Sequence, residues 1–222
     1  MTIVFDLDGT LIDSTELILS SYRHTMRTHL GRQLPDADWL STMGRPLRVQ
    51  LRDFARDEEV VQAMMDTYTA HNDEHHDAAI AAFPGVPALL RTLVEADYRL
   101  GIATSKRKEF ALRGLRVSGL PVEWFGAIVT ADDVERHKPD PEPLLVALDE
   151  LGCRSPGAAM YVGDSPFDMA AGRAAGMMTV AVAWGPHDEE SLARHSPDFT
   201  LEKPSELLEV VAAQGSDTGT EE

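Results

Sequence analysis

Cysteine is almost missing from this chain: Cys153 stands alone among 222 residues. No internal disulfide can form, which fits a reducing, cytoplasmic setting, and Cys153 itself reads as a small buried apolar residue. Positive charge is also scarce, with 20 Lys and Arg against 37 Asp and Glu for a net charge of −17. That balance argues against nucleic acid or an anionic membrane as partner. An anionic substrate would need locally placed cations or a metal ion. No apolar run is long enough to span a bilayer, and no internal repeat is visible. The chain starts directly on an apolar strand signal, so no signal peptide is expected. Residues Gln214–Glu222 lack apolar anchors and read as a disordered tail.

What is present suffices for one good core plus a small insert: the hydrophobic content is 43% over the 222 residues. Short apolar runs recur at Ile3–Phe5, Leu100–Ala103, Ala127–Thr130, Ala159–Val162 and Thr179–Ala183. Helical patterns separate most of them. The alternation predicts an α/β fold, a parallel sheet with helices on both faces. Residues 15–81 differ. They lack strand signals and carry helical spacing, as in Val60-Val61…Met64-Met65…Tyr68, until the punctuation Phe83-Pro84-Gly85. This stretch is expected to be a helical cap inserted into a core made of residues 1–14 and 82–213, placed to act as a lid.

Chemistry gathers at the strand ends. Asp6-Leu7-Asp8-Gly9-Thr10 follows the first apolar run. Residues i and i+2 of an extended segment face the same side, so Asp6 and Asp8 can share one cavity. Two close carboxylates repel unless a proton or cation intervenes, which suggests an acid/base couple, a metal site, or both. Taken alone, an Asp-x-Asp-Gly run also suits a turn. Thr104-Ser105-Lys106 ends the strand at Ala103, where a hydroxyl and free N–H groups suit an oxyanion, or alternatively a helix N-cap. Lys138 is followed by Pro139, and the proline-rich run would pin it rather than leave it in solvent. Gly163-Asp164-Ser165-Pro166-Phe167-Asp168 places two further carboxylates at another strand end, with Pro166 suited to a first helical position. Asp6, Asp8 and Asp164 offer hard oxygens for Mg²⁺, while Thr104, Ser105 and Lys138 offer donors and charge for phosphate.

These four segments, in this order, resemble the four motifs of the haloacid dehalogenase superfamily phosphatases. The resemblance covers nearly the whole chain apart from the tail, and it implies a Rossmann-like doubly wound parallel sheet with an α-helical cap inserted after the first strand. It implies Asp6 as nucleophile and Asp8 as general acid/base that also binds metal through its backbone carbonyl. It further implies Gly9, Thr10, Thr104, Ser105 and Lys138 around the phosphoryl group, Asp164 as a Mg²⁺ ligand, and Asp168 as a ligand or its support. A chloride-displacing dehalogenase would not need the Asp8 acid, so that branch is set aside.

Within the superfamily, the chain is similar to bacterial inorganic pyrophosphatases of the PpaX type and to phosphoglycolate phosphatases. Glu16–Ser21, Phe83–Val86, Asp132–Val134, Lys138–Pro143, Pro197–Lys203 and the His71–Asp77 stretch carry this likeness. Met43-Gly44-Arg45-Pro46-Leu47 resembles the cap loop that meets the leaving group. Arg45 departs from the PpaX pattern, which has a neutral residue there. An arginine could hold the distal phosphate of pyrophosphate or a substrate carboxylate bidentately, and so does not choose between them. The expected function is Mg²⁺-dependent hydrolysis of pyrophosphate. Phosphoglycolate or another small phosphomonoester is the alternative, and a sugar-phosphate mutase ranks behind both. The expected partner is a small phosphorylated molecule, for a monomer or a homodimer alike.

Overall fold

The computed structural model describes residues 1–216. In chain order its elements are β1 (Thr2–Phe5), β2 (Ile12–Asp13), α1 (Thr15–Leu30), α2 (Asp36–Leu40), α3 (Leu47–Leu51), α4 (Glu58–Ala79), β3 (Ala81–Ala82), α5 (Val86–Glu95) and β4 (Arg99–Ala103). There follow α6 (Lys108–Val117), β5 (Ala127–Val129), α7 (Glu142–Glu150), β6 (Ala159–Gly163), α8 (Pro166–Ala174), β7 (Met178–Val182), α9 (Glu189–Ala193), β8 (Phe199–Leu201) and α10 (Glu206–Ser216). The main sheet has the order β5-β4-β1-β6-β7-β8, and every neighbouring pair in it is parallel.

Period-two alternation explains how this sheet is buried on both faces. Ile3 and Phe5 of β1 join one apolar cluster with Leu89, Leu93, Leu100 and Val211. Val4, between them, joins the opposite cluster with Val129, Leu148 and Ala171. A parallel sheet covered on both sides needs such near-continuous apolar strands. The chain runs from β1 outward through β4 to β5, then crosses back to β6 on the other flank of β1. The strand order therefore reverses around β1, and a crevice opens beyond the carboxyl ends of β4, β1 and β6.

All five expected core strands are present, within a residue or so at each end. The edge strand β8 and the ribbon of β2 with β3 were not expected. In that ribbon Ile12 pairs with Ala82 and Asp13 with Ala81, antiparallel. It closes the base of the excursion that carries α1–α4. These helices have their own cluster, with Tyr22, Trp39, Leu51, Met64 and Tyr68 at its centre. Tyr22 and Trp39 stack with centroids 4.7 Å apart. Gly31 ends α1 in the left-handed conformation, φ 64°, and its N–H reaches the Arg27 carbonyl at 3.1 Å, a stop that glycine makes at no steric cost.

Two expectations need correction. Residues 214–216 belong to α10 rather than to a tail, because the apolar spacing of Leu207 and Val211 anchors that helix to the core; residues 217–222 lie outside the described residues. Cys153 is only half-buried, since it follows the turn after α7 and its Sγ points to the Ser155 carbonyl at 3.5 Å. No helix among the described residues is long and apolar enough to cross a membrane.

Candidate active site

Four strand ends supply the site. Asp6 leaves β1 with its own N–H held by the Val162 carbonyl of β6 at 2.8 Å, so its direction is fixed by the sheet. Lys138 follows β5 and its side chain is 1% exposed; its Nζ lies 2.9 Å from Asp6 Oδ1 and 2.7 Å from Asp168 Oδ1. It also donates to the Tyr161 hydroxyl at 3.1 Å. The lysine is thus pinned between two carboxylates, as the proline-rich run suggested.

Asp168 sits at the third position of α8. Ser165 is the N-cap: its hydroxyl accepts from the Asp168 N–H at 3.1 Å, and its own N–H donates to Asp168 Oδ2 at 3.0 Å. This reciprocal capping box, with Pro166 at the first turn, is a strong local start signal. Every oxygen of Asp168 is occupied, Oδ1 by Lys138 and Tyr161 and Oδ2 by Ser165. Asp164 is less well supplied, with the Thr10 hydroxyl donating to its Oδ1 at 2.9 Å.

The acids of Asp6, Asp164 and Asp168 are all buried, and one oxygen from each falls within 4.8 Å of the others. Burial, with Asp168 adding to it, pushes Asp6 up to about 7 against the pull of Lys138. Burial and its two acidic neighbours raise Asp164 well above the carboxylate range. For Asp168, burial is outweighed by Lys138 and by the Ser165 and Tyr161 hydrogen bonds, so its carboxyl is held below its usual value. Burial would lower Lys138, but Asp168 and Asp6 win and raise it. Three carboxylates against one ammonium leave the cluster short of positive charge, and Asp6 Oδ1 lacks a well-aligned hydrogen bond despite its ion pair. A hard divalent cation such as Mg²⁺ fits that donor set.

Asp8 stands apart from this cluster. Its Oδ1 accepts from the Ser14 hydroxyl at 2.6 Å and from Lys106 Nζ at 2.7 Å, so its side chain faces the cavity rather than the acidic triad. Gly9 adopts φ +85°, and a Cβ there would meet Asp164 Oδ2 at 2.5 Å; only glycine allows that approach. Its N–H bonds to the Ile12 carbonyl at 2.9 Å. Gly9 and Thr10, expected around the phosphoryl group, are thus placed as supports for Asp164. Thr104 lies at the end of β4 with its Oγ1 accepting from the Lys106 N–H at 3.2 Å, which leaves its hydroxyl proton available. Ser105, expected beside it, instead donates to the Gly44 carbonyl of the helical insert at 2.7 Å.

Between insert and core lies a cavity of about 240 Å³. Asp8, Thr104, Lys106 and Asp164 form its polar floor, while Arg45, Arg48 and Gln50 face it from the insert. Its remaining wall is largely apolar, including Ile18, Trp39, Tyr68 and Phe110. Arg45 reaches this cavity with its guanidinium paired to Asp53 at 2.8 Å. Of the His71–Asp77 stretch, Asn72 lines the cavity; Asp73 and Asp77 instead hold Arg113 of α6.

Sequence reasoning missed Lys106, although its motif was read, and it missed the segment after β7. There Trp184 Nε1 donates to the Thr10 carbonyl at 3.0 Å, and Gly185 packs so closely that a Cβ would lie 2.4 Å from Asp164 Cβ. The strand-end rule that located Asp6 and Asp164 applies equally to this fifth parallel strand end.

The family model for haloacid dehalogenase-like hydrolases matches residues 3–182. Pyrophosphatase PpaX from Bacillus pumilus (strain SAFR-032) is 40% identical over 212 residues, covering 96% of this chain and 96% of that protein. Among solved structures, a hydrolase from Pseudomonas syringae superposes with a TM-score of 0.85 at 26% identity, covering 96% of this chain and 98% of that one. A candidate phosphoglycolate phosphatase from Lactobacillus plantarum gives a TM-score of 0.83 at 27% identity, covering 94% of this chain and 97% of that one.

Proposed function

The chain belongs to the haloacid dehalogenase-like hydrolases, and from that premise we propose that it is a Mg²⁺-dependent phosphohydrolase that works through an aspartyl-phosphate on Asp6, with inorganic pyrophosphate as its leading substrate. The observation that carries the mechanism is the convergence of buried Asp6, Lys138 and Asp164 at the strand ends, with Asp164 also lining the cavity beside Asp8 and Thr104. Asp6 attacks phosphorus and the bond to the leaving oxygen breaks. Asp8, on the cavity side, gives that oxygen its proton. Asp8 then takes a proton from water, which attacks the phosphoryl group and frees Asp6. Splitting the reaction in this way replaces one difficult step by two easier ones. Thr104 and Lys138 donate to the phosphoryl oxygens, whose charge must be met by fixed donors.

Asp6, Asp164 and the Asp8 backbone carbonyl would hold Mg²⁺, with Asp168 fixed beside them by Lys138, Tyr161 and Ser165. When bound, the ion supplies positive charge that keeps Asp6 ionised and offsets charge on the phosphoryl group. Residues 15–81 serve in this reading as the cap that shields the reaction from water, and the single Cys153 keeps a cytoplasmic setting as part of the proposal.

Pyrophosphate is supported by the likeness to pyrophosphatase PpaX and by Arg45, Arg48 and Lys106 on the cavity. The apolar part of the wall favours a second reading, an organic phosphomonoester such as phosphoglycolate. Phosphate release from the two compounds side by side, with Mg²⁺ and then with EDTA, decides between them. A higher kcat/KM for pyrophosphate that EDTA abolishes is the expected result. Preference for phosphoglycolate would overturn the substrate, and EDTA-resistant turnover would overturn the metal.

A further inference from the structure

The buried stripe of α4 changes character along its length. Val61, Met64, Tyr68, Asn72 and His76 recur at helical spacing and are all buried. Val61 and Met64 pack into the apolar cluster of the insert. Tyr68 joins them through its ring, whose centroid lies 5.8 Å from that of Trp39, and it also lines the cavity. Asn72, one turn further on, lies outside that cluster and faces the cavity instead. Met65, Tyr68, Thr69 and Asn72 follow the i, i+3, i+4, i+7 spacing of one helix face, and all four line the cavity.

The polar groups on that face are uncommitted. Tyr68 is 8% exposed and Asn72 7%, yet neither side chain has a hydrogen-bond partner among the described residues, and the half-buried Thr69 hydroxyl has none either. The Thr67 hydroxyl on the same helix, by contrast, donates to the Ala63 carbonyl at 3.0 Å. A buried carboxamide or phenol left without a partner is unfavourable. The cations on the cavity wall are in the opposite state. Arg45 pairs with Asp53 at 2.8 Å, Arg48 with Glu58 at 3.1 Å, Lys106 with Asp8 at 2.7 Å and Arg107 with Asp132 at 3.5 Å. An anion entering the cavity meets cations that already hold acids, and neutral groups on α4 that are free to donate.

We infer that Tyr68, Thr69 and Asn72 form the seat of the leaving group, donating neutral hydrogen bonds to a small anionic group joined to the transferred phosphoryl, either the distal phosphate of pyrophosphate or the carboxylate of phosphoglycolate. This seat belongs to the phosphohydrolase reading of the same cavity and rests on it. Asp8, which gives the departing oxygen its proton in that reading, lines the cavity together with all three residues. Donors fixed in place before the reaction stabilise an anion without having to reorganise. Ionised phosphate and carboxylate oxygens only accept, so Asn72 binds through its amide N–H groups and Tyr68 and Thr69 through their hydroxyls. A substrate with no anion beyond its phosphoryl group leaves the seat unused, which makes these residues specificity-determining.

The test compares the full-length wild-type protein with Tyr68→Phe and Asn72→Asp on pyrophosphate, phosphoglycolate and p-nitrophenyl phosphate, all with Mg²⁺. The last compound carries no anion beyond its phosphoryl group. Tyr68→Phe keeps the ring beside Trp39 and removes one donor; Asn72→Asp keeps the shape and sets a like charge against the leaving group. The ratio of kcat/KM for the anionic substrate to that for p-nitrophenyl phosphate should fall about three- to tenfold in Tyr68→Phe and more than about tenfold in Asn72→Asp. A larger loss on pyrophosphate assigns the seat to the distal phosphate, and a larger loss on phosphoglycolate assigns it to the carboxylate. A merely structural role would lower all three substrates together, and a wild-type ratio in both variants would overturn the inference. Calorimetric titration with methylenediphosphonate, which resists hydrolysis, and with orthophosphate gives a readout without turnover. Asn72→Asp should weaken the diphosphonate about tenfold more than it weakens orthophosphate. If the wild-type protein releases phosphate from none of the three compounds, the phosphohydrolase reading falls; the titration then judges the seat, and diphosphonate binding that is absent or weakened no more than orthophosphate overturns it.

Discussion

Replacing Lys138 with methionine removes the one ammonium from a site that holds three buried carboxylates. The perturbation deletes ion pairs of 2.9 Å to Asp6 and 2.7 Å to Asp168, together with a 3.1 Å hydrogen bond to Tyr161, at a side chain 1% exposed. Breaking a buried pair by removing one partner costs about 3–5 kcal/mol, because the remaining charge is left uncompensated. The packing change from lysine to methionine is small, so nearly all of the loss is electrostatic. The sign of the pH dependence follows from Asp6, which burial already raises to about 7. Without Lys138 its folded-state pKa rises further above the unfolded value. A group raised in this way binds more protons when folded, so stability falls as pH climbs from the unfolded toward the folded pKa, by up to about 1.4 kcal/mol per pH unit for one proton. The variant should therefore lose more stability at pH 8 than at pH 6. Urea unfolding followed by circular dichroism, in EDTA at both pH values, measures this. For a chain of this length, the loss should lower Tm by about 6–20 °C. A loss below about 1 kcal/mol at both pH values would refute the argument that Lys138 is the sole neutraliser of the cluster.

Three other outcomes follow from the same geometry. Because Asp6 and Asp164 are both raised, protons compete with Mg²⁺ for them, and the rise in Tm on adding Mg²⁺ should be larger at pH 8 than at pH 5.5; equal rises by differential scanning fluorimetry would contradict the placement of the ion. Lys106→Met releases Asp8 from a 2.7 Å ion pair at the cavity edge and should lower kcat/KM by about 10–100-fold while costing no more than about 1 kcal/mol of stability. Phosphate-release kinetics and urea melts would show the split, and the reverse pattern would make Lys106 structural. Gly9→Ala forces a Cβ to within 2.5 Å of Asp164 at φ +85° and should destabilise by at least about 1–3 kcal/mol, with weaker Mg²⁺ binding by calorimetry; a wild-type Mg²⁺ affinity would show that Asp164 is not held through this contact.

The core was legible because its strands are buried on both faces. Apolar runs such as Ile3-Val4-Phe5 have few other uses, and they stand where the sheet needs them. β8 escaped notice because it is a short edge strand, half-buried at Phe199 and exposed at Thr200, and is fixed partly by Asp198 accepting from the Thr179 N–H and hydroxyl at 2.7 and 2.8 Å. Those bonds join residues 19 apart and leave no local pattern. The acids and Lys138 were legible from their strand-end positions. Their division of labour was not. Besides its local capping box, Asp168 is consumed by Lys138, and Ser105 turns toward the insert, because partners distant in sequence claim those atoms. Residue type announces chemistry, whereas the choice among available partners is made by the packing of insert on core. Lys106 shows the same point, since its contact with Asp8 spans 98 positions.

The central claim is that Asp6 carries the phosphoryl group. Turnover of pyrophosphate with Mg²⁺ is quenched in acid, and the digested chain is searched by mass spectrometry for a phosphorylated peptide containing Asp6. The account requires phosphate on that peptide in the wild-type protein, and neither label nor phosphate release in Asp6→Asn. Hydrolysis that persists in Asp6→Asn, or brisk wild-type turnover with phosphate trapped on another residue, would contradict it.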